Sequence, residues 1–323
     1  MDYKLLGQTG VKVSSLCLGT MTFGDADESM SAKIFHRCRE VGINFFDCAN
    51  VYHQGRSEQI LGALIANCRS EVVITTKFYG SMGADINASG ASRRHIFLEV
   101  ENSLRRLNTD FIDLYFIHHF DEDTPIHETL RALDDLVRQG KILYPAVSNY
   151  AAWQIVKANG ISEQESLARF ECIQPMYNLA KRQVEVEILP MALSERMGVI
   201  PYSPLGGGLL SGKYGVSKRP DSGRLLENQM YQSRYAGKHY YQIAQDFTHL
   251  AQQSGYHPAG LAVAWVGAHP AITAPIIGAR NTDQLEGSLT SMQINMTNDL
   301  YASISELSPR PPLPTDREDE RVG

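Results

Sequence analysis

Four side chains whose chemistry suits proton transfer follow three successive apolar runs of the chain: Asp47, Tyr52, Lys77 and His118. A phenol beside an ammonium group has its phenolate form favoured, so we expect Lys77 to lower the pKa of Tyr52 from about 10. Asp47 is expected to pair with Lys77, and His118 to orient a substrate carbonyl by hydrogen bonding. Taken singly, such residues are more often caps, solvated charges or packed rings. Their occurrence after successive runs favours a shared catalytic role.

The hydrophobic pattern predicts the scaffold that brings these residues together. Short apolar runs alternate with amphipathic segments, which is typical of parallel strands covered by helices. We predict strands at residues 15–18, 43–46, 72–76, 111–117, 142–147, 170–174, 199–202 and 272–276, and helices at 30–41, 57–66, 93–107, 126–138 and 236–254. Eight strands in roughly 260 residues, without an intervening linker, predict an α/β fold, a closed (β/α)8 barrel. We expect one domain over residues 1–323, with its active face at the carboxyl ends of the strands.

Three segments lie outside this alternation. Residues 3–13, with Gly7 and the pair Thr9-Gly10, predict a β-hairpin at the lower mouth of the barrel. The Gly-rich stretch 203–235 follows the seventh predicted strand, and a loop of that length on the active face is either disordered or functional. From about residue 309 the chain is Pro-rich and then charged, which predicts a tail that is draped on the surface or mobile. The barrel should therefore carry an N-terminal hairpin and extra C-terminal helices and loops.

Composition and charge exclude several classes of protein. With 43% hydrophobic and 20% charged residues, the chain is globular rather than disordered or coiled coil. A formal net charge of −6 argues against nucleic acid as a partner. The five cysteines are odd in number and form no C-x-x-C, so we expect free or buried thiols in the cytoplasm. We predict no metal site.

No segment predicts export or a membrane span. The N-terminus MDYKLLGQTGVKVS lacks the apolar region of a signal peptide. The most apolar stretch, residues 261–279, is interrupted by His269, Pro270 and Pro275, so it does not supply the about 20 apolar residues of a spanning helix. It predicts a short buried helix followed by a strand.

Six segments, in this order, resemble motifs of the aldo-keto reductase family: FFDCANVYHQGRSEQILG, VVITTK, DLYFIHHFD, VSNY, YSPLGGGLLSGKY and IIGARNTDQLEGS. The resemblance covers essentially the whole chain. It implies a barrel that reduces carbonyl compounds with NAD(P)H, with Tyr52 as general acid and Lys77 and Asp47 tuning it. His118, which fits the pattern Leu-Tyr-x-x-His, would orient the carbonyl. No G-x-G-x-x-G follows a predicted strand, which disfavours a Rossmann fold and agrees with a barrel that binds its cofactor differently.

The resemblance also implies NADPH as the cofactor. Ser148, Asn149 and Gln174 resemble the side chains that hydrogen-bond the nicotinamide carboxamide, and Tyr202 resembles the ring on which the nicotinamide stacks. Glycines let the backbone approach a diphosphate, and a helix start after the eighth strand favours the 2′-phosphate. The further residues assigned to the cofactor are Thr20, Asp47, Ser203, Leu205, Gly207, Lys213, Arg224, Gly278, Arg280 and Gln284. Many relatives carry an acid and an Asn where this chain has Gly287 and Ser288, which leaves the adenine contacts open.

The substrate is expected to be a small carbonyl compound, and its identity is open. Four residues near strand ends are candidates for a substrate wall, and they could equally pack against helices or lie on the surface: Phe23, Phe78, Tyr79 and His119. Two other functions compete with carbonyl reduction. A barrel lysine could form a Schiff base, as in an aldolase, although the cofactor motifs give that little support. Barrels that resemble these reductases also serve as regulatory subunits of potassium channels, which bind the cofactor with little turnover.

Overall fold

The computed structural model describes residues 1–24 and 27–315 and contains one sheet of eight parallel strands. These are β3 (Cys17–Gly19), β4 (Phe45–Asp47), β5 (Val73–Phe78), β6 (Ile112–Ile117), β7 (Ile142–Ser148), β8 (Cys172–Gln174), β9 (Gly198–Val199) and β10 (Ile276–Ile277). They are hydrogen-bonded in the order β10-β3-β4-β5-β6-β7-β8-β9. Ile276 N donates to Pro201 O and Thr273 N to Val199 O, each at 2.9 Å, which joins the β9 and β10 segments and closes the sheet. The predicted (β/α)8 barrel is confirmed.

Alternate residues of the strands fill the barrel interior. Phe45, Val73, Phe116 and Cys172 belong to one buried apolar cluster inside the sheet. Side chains along a strand alternate between its two faces, so residues two or four positions further on point the same way as these. Those residues include several predicted for the site: Asp47, Lys77, His118 and Gln174. The strand period therefore places polar groups directly above an apolar floor, at the carboxyl ends of the strands.

Helices cover the outside of the sheet. They are α1 (Glu28–Glu40), α2 (Arg56–Ile65), α3 (Arg93–Leu107), α4 (Ile126–Arg138), α5 (Ala152–Glu165), α6 (Ile188–Ser194), α7 (Arg224–Glu227), α8 (Gln229–Arg234), α9 (Lys238–Gln253), α10 (Pro258–Ala268), α11 (Thr282–Leu289) and α12 (Asn298–Ser305). The five predicted helices are found, each within two residues of its expected bounds. The ends of α3 show why: the Ser92 side chain accepts from His95 N, and Asn108 adopts a left-handed conformation with φ 51°.

The two ends of the chain pack differently on the barrel. Strands β1 (Tyr3–Leu5) and β2 (Lys12–Ser14) form the predicted antiparallel hairpin, and Leu6 and Val13 join the interior cluster at the amino ends of the strands. At the other end, Pro312, Leu313 and Pro314 line a small surface groove. The rest of the predicted tail, residues 316–323, lies outside the described residues. Helix α10 and strand β10 confirm the prediction for residues 261–279, and no helix in the described ranges is long and apolar enough to cross a membrane.

Candidate active site

Asp47, the last residue of β4, and Lys77 of β5 form a buried ion pair. Lys77 Nζ lies 2.7 and 2.8 Å from the two carboxylate oxygens and donates to the carbonyl oxygen of Cys48 at 2.7 Å. Asp47 Oδ1 also accepts from Thr75 Oγ1 at 2.7 Å and from Gln174 Nε2 at 2.8 Å. Burial acts to lower the pKa of Lys77, but the Asp47 carboxylate outweighs it and raises that pKa above its ordinary value. The ammonium is therefore fixed and charged beneath the site.

Tyr52 opens a tight turn after β4, in which His53 and Gln54 have φ of 47° and 53°. Its hydroxyl lies 3.5 Å from Lys77 Nζ. Burial raises the pKa of Tyr52 to about 12, although the Lys77 ammonium acts to lower it. The expectation that Lys77 brings this pKa below 10 is wrong. The free energy needed to remove the phenolate from water is larger than the stabilisation that the single charge of Lys77 gives. Tyr52 is a neutral phenol at physiological pH.

His118 directly follows β6, and its ring faces that of Tyr52. The two ring centroids are 6.3 Å apart and the planes are nearly perpendicular. Burial, and then the nearby Lys77 charge, lower the pKa of His118 to about 3. The imidazole is therefore neutral at physiological pH and has one N–H to donate. His119 stacks on His118 with centroids 5.2 Å apart and lies at the cavity rim.

A buried charge network lies behind these residues. Glu58 of α2 accepts from Thr76 Oγ1 and from Arg106 Nε, each at 2.5 Å. Arg106 also reaches Glu99 at 3.5 Å, and Glu99 accepts from Asn50 Nδ2 at 2.7 Å. Buried charges are tolerated when they are paired and hydrogen-bonded in this way. The network ties α2 and α3 to the segment between Asp47 and Tyr52.

Gly55 shows how closely this network approaches the Tyr52 turn. A Cβ on Gly55 would lie 2.5 Å from Arg106 Cδ, and Gly55 has a φ of 88°, so only glycine fits here. The network could not be predicted from the sequence, because charged residues of amphipathic helices ordinarily face solvent. The one sequence signal was a glycine three residues after Tyr52.

A cavity of about 620 Å³ opens at the carboxyl ends of the strands, which is a size typical of small-molecule sites. Most of the residues predicted for catalysis and cofactor binding line it: Asp47, Tyr52, His118, His119, Ser148, Asn149, Gln174, Tyr202, Ser203, Leu205, Gly207, Lys213, Arg224, Gly278, Arg280 and Gln284. Lys77 is fully buried and touches the site through Asp47 and Tyr52. Residues far apart in the sequence therefore line one cavity.

Polar side chains are linked to one another near His118. Tyr202 Oη donates to Asn149 Oδ1 at 2.8 Å, and Asn149 Nδ2 donates to the His118 carbonyl oxygen at 3.0 Å. Ser148 Oγ donates to Gln174 O at 2.8 Å. Because Gln174 Nε2 donates to the Asp47 carboxylate, its Oε1 is the atom left to accept from a ligand. These groups form a fixed polar rim beside Tyr52.

The Gly-rich stretch contains helices α7 and α8 and forms the next part of the wall. Gly207 has a φ of 71°, and a Cβ there would lie 2.5 Å from the Tyr231 ring, so the turn requires glycine. Lys213 and Arg224 follow, and neither forms a side-chain ion pair with any described residue. Arg224 lies over Tyr231, 5.8 Å from the ring centroid. This stretch combines close backbone approach with unneutralised positive charge.

The far end of the cavity lies at the start of α11. Arg280 Nη1 lies 3.8 Å from Glu227 Oε2, and its backbone N donates to Gln284 Oε1 at 3.1 Å. Asn281 Oδ1 caps Gln284 N at 3.0 Å. Two backbone N–H groups at the start of α11 are thus already hydrogen-bonded within the chain. An anion that binds Arg280 also competes with Glu227.

His257 is a lining residue that the sequence analysis missed. A Cβ on Gly287 would lie 2.8 Å from the His257 ring, so the imidazole fills the space that the missing side chain leaves. Ser288 lines the same part of the cavity. The ring of His257, at the start of α10, therefore packs against Gly287, the first of the two small residues, Gly287 and Ser288, that the sequence has at these positions.

Thr20 does not line the cavity, in contrast to its assignment to the cofactor. Its hydroxyl donates to the Asp47 carbonyl oxygen at 3.0 Å and accepts from Ser57 Oγ at 2.9 Å, and the residue is fully buried. The neighbouring residues Gly19 and Met21 line the cavity instead. Thr20 fixes the β3 and β4 strand ends relative to α2.

The candidate substrate wall also needs correction. Phe23 and Phe78 are buried in the core outside the barrel, and Phe78 stacks on Tyr115 with centroids 4.8 Å apart. Phe78 directly follows Lys77 on its strand and so points to the opposite face. Tyr79 faces His119 at 5.6 Å but is not among the lining residues. Of the four candidates, His119 alone lines the cavity.

All five cysteines are free, as expected, and four of them are buried. Within the described ranges, no group of three or more His, Cys, Asp and Glu side chains is placed to hold a metal ion.

Fold and site together define a class of protein: a closed (β/α)8 barrel with a Tyr, a Lys, an Asp and a His gathered beside one cavity. The sequence profile of the Aldo/keto reductase family matches residues 15–309. The chain belongs to the aldo-keto reductase family.

Relatives of the chain cover nearly its whole length. It is 38% identical to the uncharacterized oxidoreductase YrpG of Bacillus subtilis, over 96% of this chain and 97% of that protein. It is 36% identical to a probable voltage-gated potassium channel subunit beta of Arabidopsis thaliana, over 91% of this chain and 92% of that protein. It is 32% identical to norsolorinic acid reductase of Aspergillus flavus, over 94% of this chain and 80% of that protein. The family and the two relatives named as oxidoreductase and reductase support an oxidoreductase.

Proposed function

We propose that this protein is an NADPH-dependent oxidoreductase that converts aldehydes or ketones to alcohols, reversibly. One observation carries the proposal: a single cavity joins a phenol held 3.5 Å from a charged lysine to a wall of glycines and cations. The first feature suits proton transfer to a carbonyl oxygen. The second suits a phosphorylated cofactor, in a chain whose net charge is −6.

The lining fits the phosphate groups of a dinucleotide. A Cβ on Gly278 would meet only Gly19 O, at 3.8 Å, so the backbone here faces open space. Gly208 is similarly open, with Tyr214 at 3.9 Å. Lys213 and Arg224 would bind the diphosphate and Arg280 the 2′-phosphate, because guanidinium and ammonium groups are the usual phosphate partners.

The nicotinamide would be held beside Tyr52. Ser148, Asn149 and Gln174 offer hydrogen bonds to a carboxamide, and the Tyr202 ring offers a stacking surface. When bound, NADPH supplies the hydride that adds to the carbonyl carbon. The protein's part is to orient the reacting groups and to deliver a proton.

Tyr52 delivers that proton. As the carbonyl carbon accepts a hydride, negative charge develops on the carbonyl oxygen, and the neutral Tyr52 phenol protonates it. His118 is neutral, so it donates a hydrogen bond to the same oxygen without competing as a strong acid. Lys77 lies 3.5 Å from the phenolate oxygen that remains and stabilises it until Tyr52 is reprotonated from water in the cavity.

A second candidate function comes from the relatives. Three of them are named as probable or putative voltage-gated potassium channel subunit beta, at 31 to 36% identity. In such a role the chain would bind the cofactor and report its redox state to a membrane partner, with little turnover. The complete set of Asp47, Tyr52, Lys77 and His118 favours turnover.

The test is a steady-state screen. Purified protein with NADPH is given aromatic, aliphatic and sugar aldehydes, and loss of nicotinamide absorbance is followed. Turnover of at least one class, with formation of the matching alcohol, supports the proposal. Tight NADPH binding without turnover across the panel, together with capture of a channel protein from membranes, would favour the regulatory role.

A further inference from the structure

Arg234 is a cation in the cavity wall whose charge is not neutralised by any carboxylate among the described residues. It is the last residue of α8, is half-buried, and lines the same cavity as Tyr52 and His118. Its guanidinium lies 5.3 Å from the centroid of the Tyr231 ring and forms no side-chain hydrogen bond or ion pair with the described residues. A guanidinium that is partly removed from water and left unpaired is costly, and it is complementary to a bound anion.

Arg234 lies near enough to Tyr202 for its charge to act there, and Tyr202 belongs to the hydrogen-bonded side chains near His118. Burial raises the pKa of Tyr202, and the Arg234 charge opposes that rise, so the two groups are close enough to interact. Tyr202 donates to Asn149, and Asn149 donates to the His118 carbonyl oxygen. Arg280, by contrast, lies at the start of α11 and pairs with Glu227.

The other cations of the cavity match the phosphates of the cofactor in number. Lys213, Arg224 and Arg280 line the stretch from the Gly-rich loop to α11. The diphosphate and 2′-phosphate of NADPH present three phosphate groups to them. Arg234 is the remaining cation of the lining, and no phosphate group of the cofactor is left to pair with it.

We propose that Arg234 binds an anionic group of the substrate and that the preferred substrates are carbonyl compounds bearing a carboxylate. This inference rests on the proposed reductase function and names its substrate class. A guanidinium binds a carboxylate through two parallel hydrogen bonds, which fixes orientation as well as charge. Met230, which also lines the cavity and is exposed, offers an apolar contact to the carbon skeleton between the carboxylate and the carbonyl.

The experiment compares 4-carboxybenzaldehyde with its neutral methyl ester, methyl 4-formylbenzoate, at saturating NADPH. Values of kcat/KM are measured for the wild type, for Arg234→Met and for Arg234→Lys, which keeps the charge. Arg94→Met is the matched control, because Arg94 is exposed and does not line the cavity. The Kd of NADPH is measured for each protein by fluorescence titration, and thermal unfolding shows whether each variant is folded.

The wild type should prefer the carboxylate, and Arg234→Met should lower its kcat/KM roughly 10- to 100-fold, the range for a lost charged hydrogen bond. The ester and the NADPH Kd should change less than about twofold, and Arg234→Lys should recover part of the loss. Equal losses for both aldehydes, or a weakened NADPH Kd, would assign Arg234 to the cofactor and overturn the inference. A wild type that reduces both aldehydes equally would overturn the inference while leaving the reductase function intact. A wild type that binds NADPH and reduces neither would overturn the inference, and turnover of no other aldehyde of the panel above would overturn the reductase function as well.

Discussion

Replacing Lys77 with Met removes the cation from a fully buried ion pair and leaves the Asp47 carboxylate with its other donors, Thr75 and Gln174. Breaking such a pair from one side costs about 3 to 5 kcal/mol in free energy of unfolding. Because two neutral donors remain, we expect the lower end, about 3 kcal/mol. At roughly 2 °C per kcal/mol for a large domain, the Tm should fall by about 6 °C.

The same change should affect chemistry separately from stability. Without the ammonium, the phenolate of Tyr52 loses its stabilising charge, so turnover should fall at least about 10²-fold. The double variant Asp47→Asn, Lys77→Met removes both charges and should recover most of the lost Tm, because no unpaired charge stays buried. It should recover none of the turnover.

Thermal unfolding by circular dichroism and NADPH-coupled turnover are measured on the wild type, the single variant and the double variant. A single variant with wild-type Tm would mean that the pair is not buried as described. A double variant with wild-type turnover would show that Lys77 plays no part in proton transfer. Either result refutes the reasoning for this site.

The raised pKa of Tyr52, the ion pair of Arg280 and the buried ion pair of Arg106 each lead to a further prediction. Because Tyr52 keeps its proton below a pKa of about 12, the rate of carbonyl reduction should be independent of pH between about pH 7 and 9. The rate of alcohol oxidation needs the phenolate, so it should rise up to about tenfold per pH unit over the same range. Parallel pH–rate profiles for the two directions would contradict this. Arg280→Ala should weaken NADPH binding about tenfold and leave NADH binding unchanged in fluorescence titrations, the loss being kept small by exposure and by competition from Glu227. Arg106→Met should leave the Glu58 carboxylate buried without its ion-pair partner, which should lower the Tm by several degrees and reduce kcat more than it raises KM. An unchanged kcat would mean that the charge network of Glu58, Arg106 and Glu99 plays no role in positioning Tyr52.

Most strands and helices could be predicted because apolar residues recur at the period of a strand or a helix, and because capping residues lie next to the helix ends in the sequence. Strands β6 and β7 lie within one residue of the expected bounds. The last strand was expected at 272–276 and forms only at Ile276–Ile277. Pro275 has no N–H to donate to a ladder, so regular pairing begins after it. The expected ends of β3 and β4 were one residue short, because pairing continues through Gly19 and the polar Asp47.

The meeting of Asp47, Tyr52, Lys77 and His118 could be predicted because each lies at or shortly after the carboxyl end of a strand, and these strand ends meet at one face of a barrel. What the sequence did not predict depends on tertiary packing. The pKa of Tyr52 is decided by how deeply its hydroxyl is buried, which no local pattern encodes. Phe78 is different, because strand alternation, which the sequence itself shows, already directs it away from Lys77 and into the core. Arg234 and His257 come from elements whose placement against the cavity only the folded chain determines.

The most direct test of the claim that Tyr52 donates the proton is Tyr52→Phe, measured for both NADPH affinity and turnover of an aldehyde that the wild type reduces. The phenylalanine keeps the ring and removes only the hydroxyl that lies 3.5 Å from Lys77. The proposed mechanism predicts a nearly unchanged NADPH Kd with kcat lowered by about 10² to 10⁴, the range for general acid catalysis. Near-normal turnover in this variant would contradict the claim, because the proton would then come from another group.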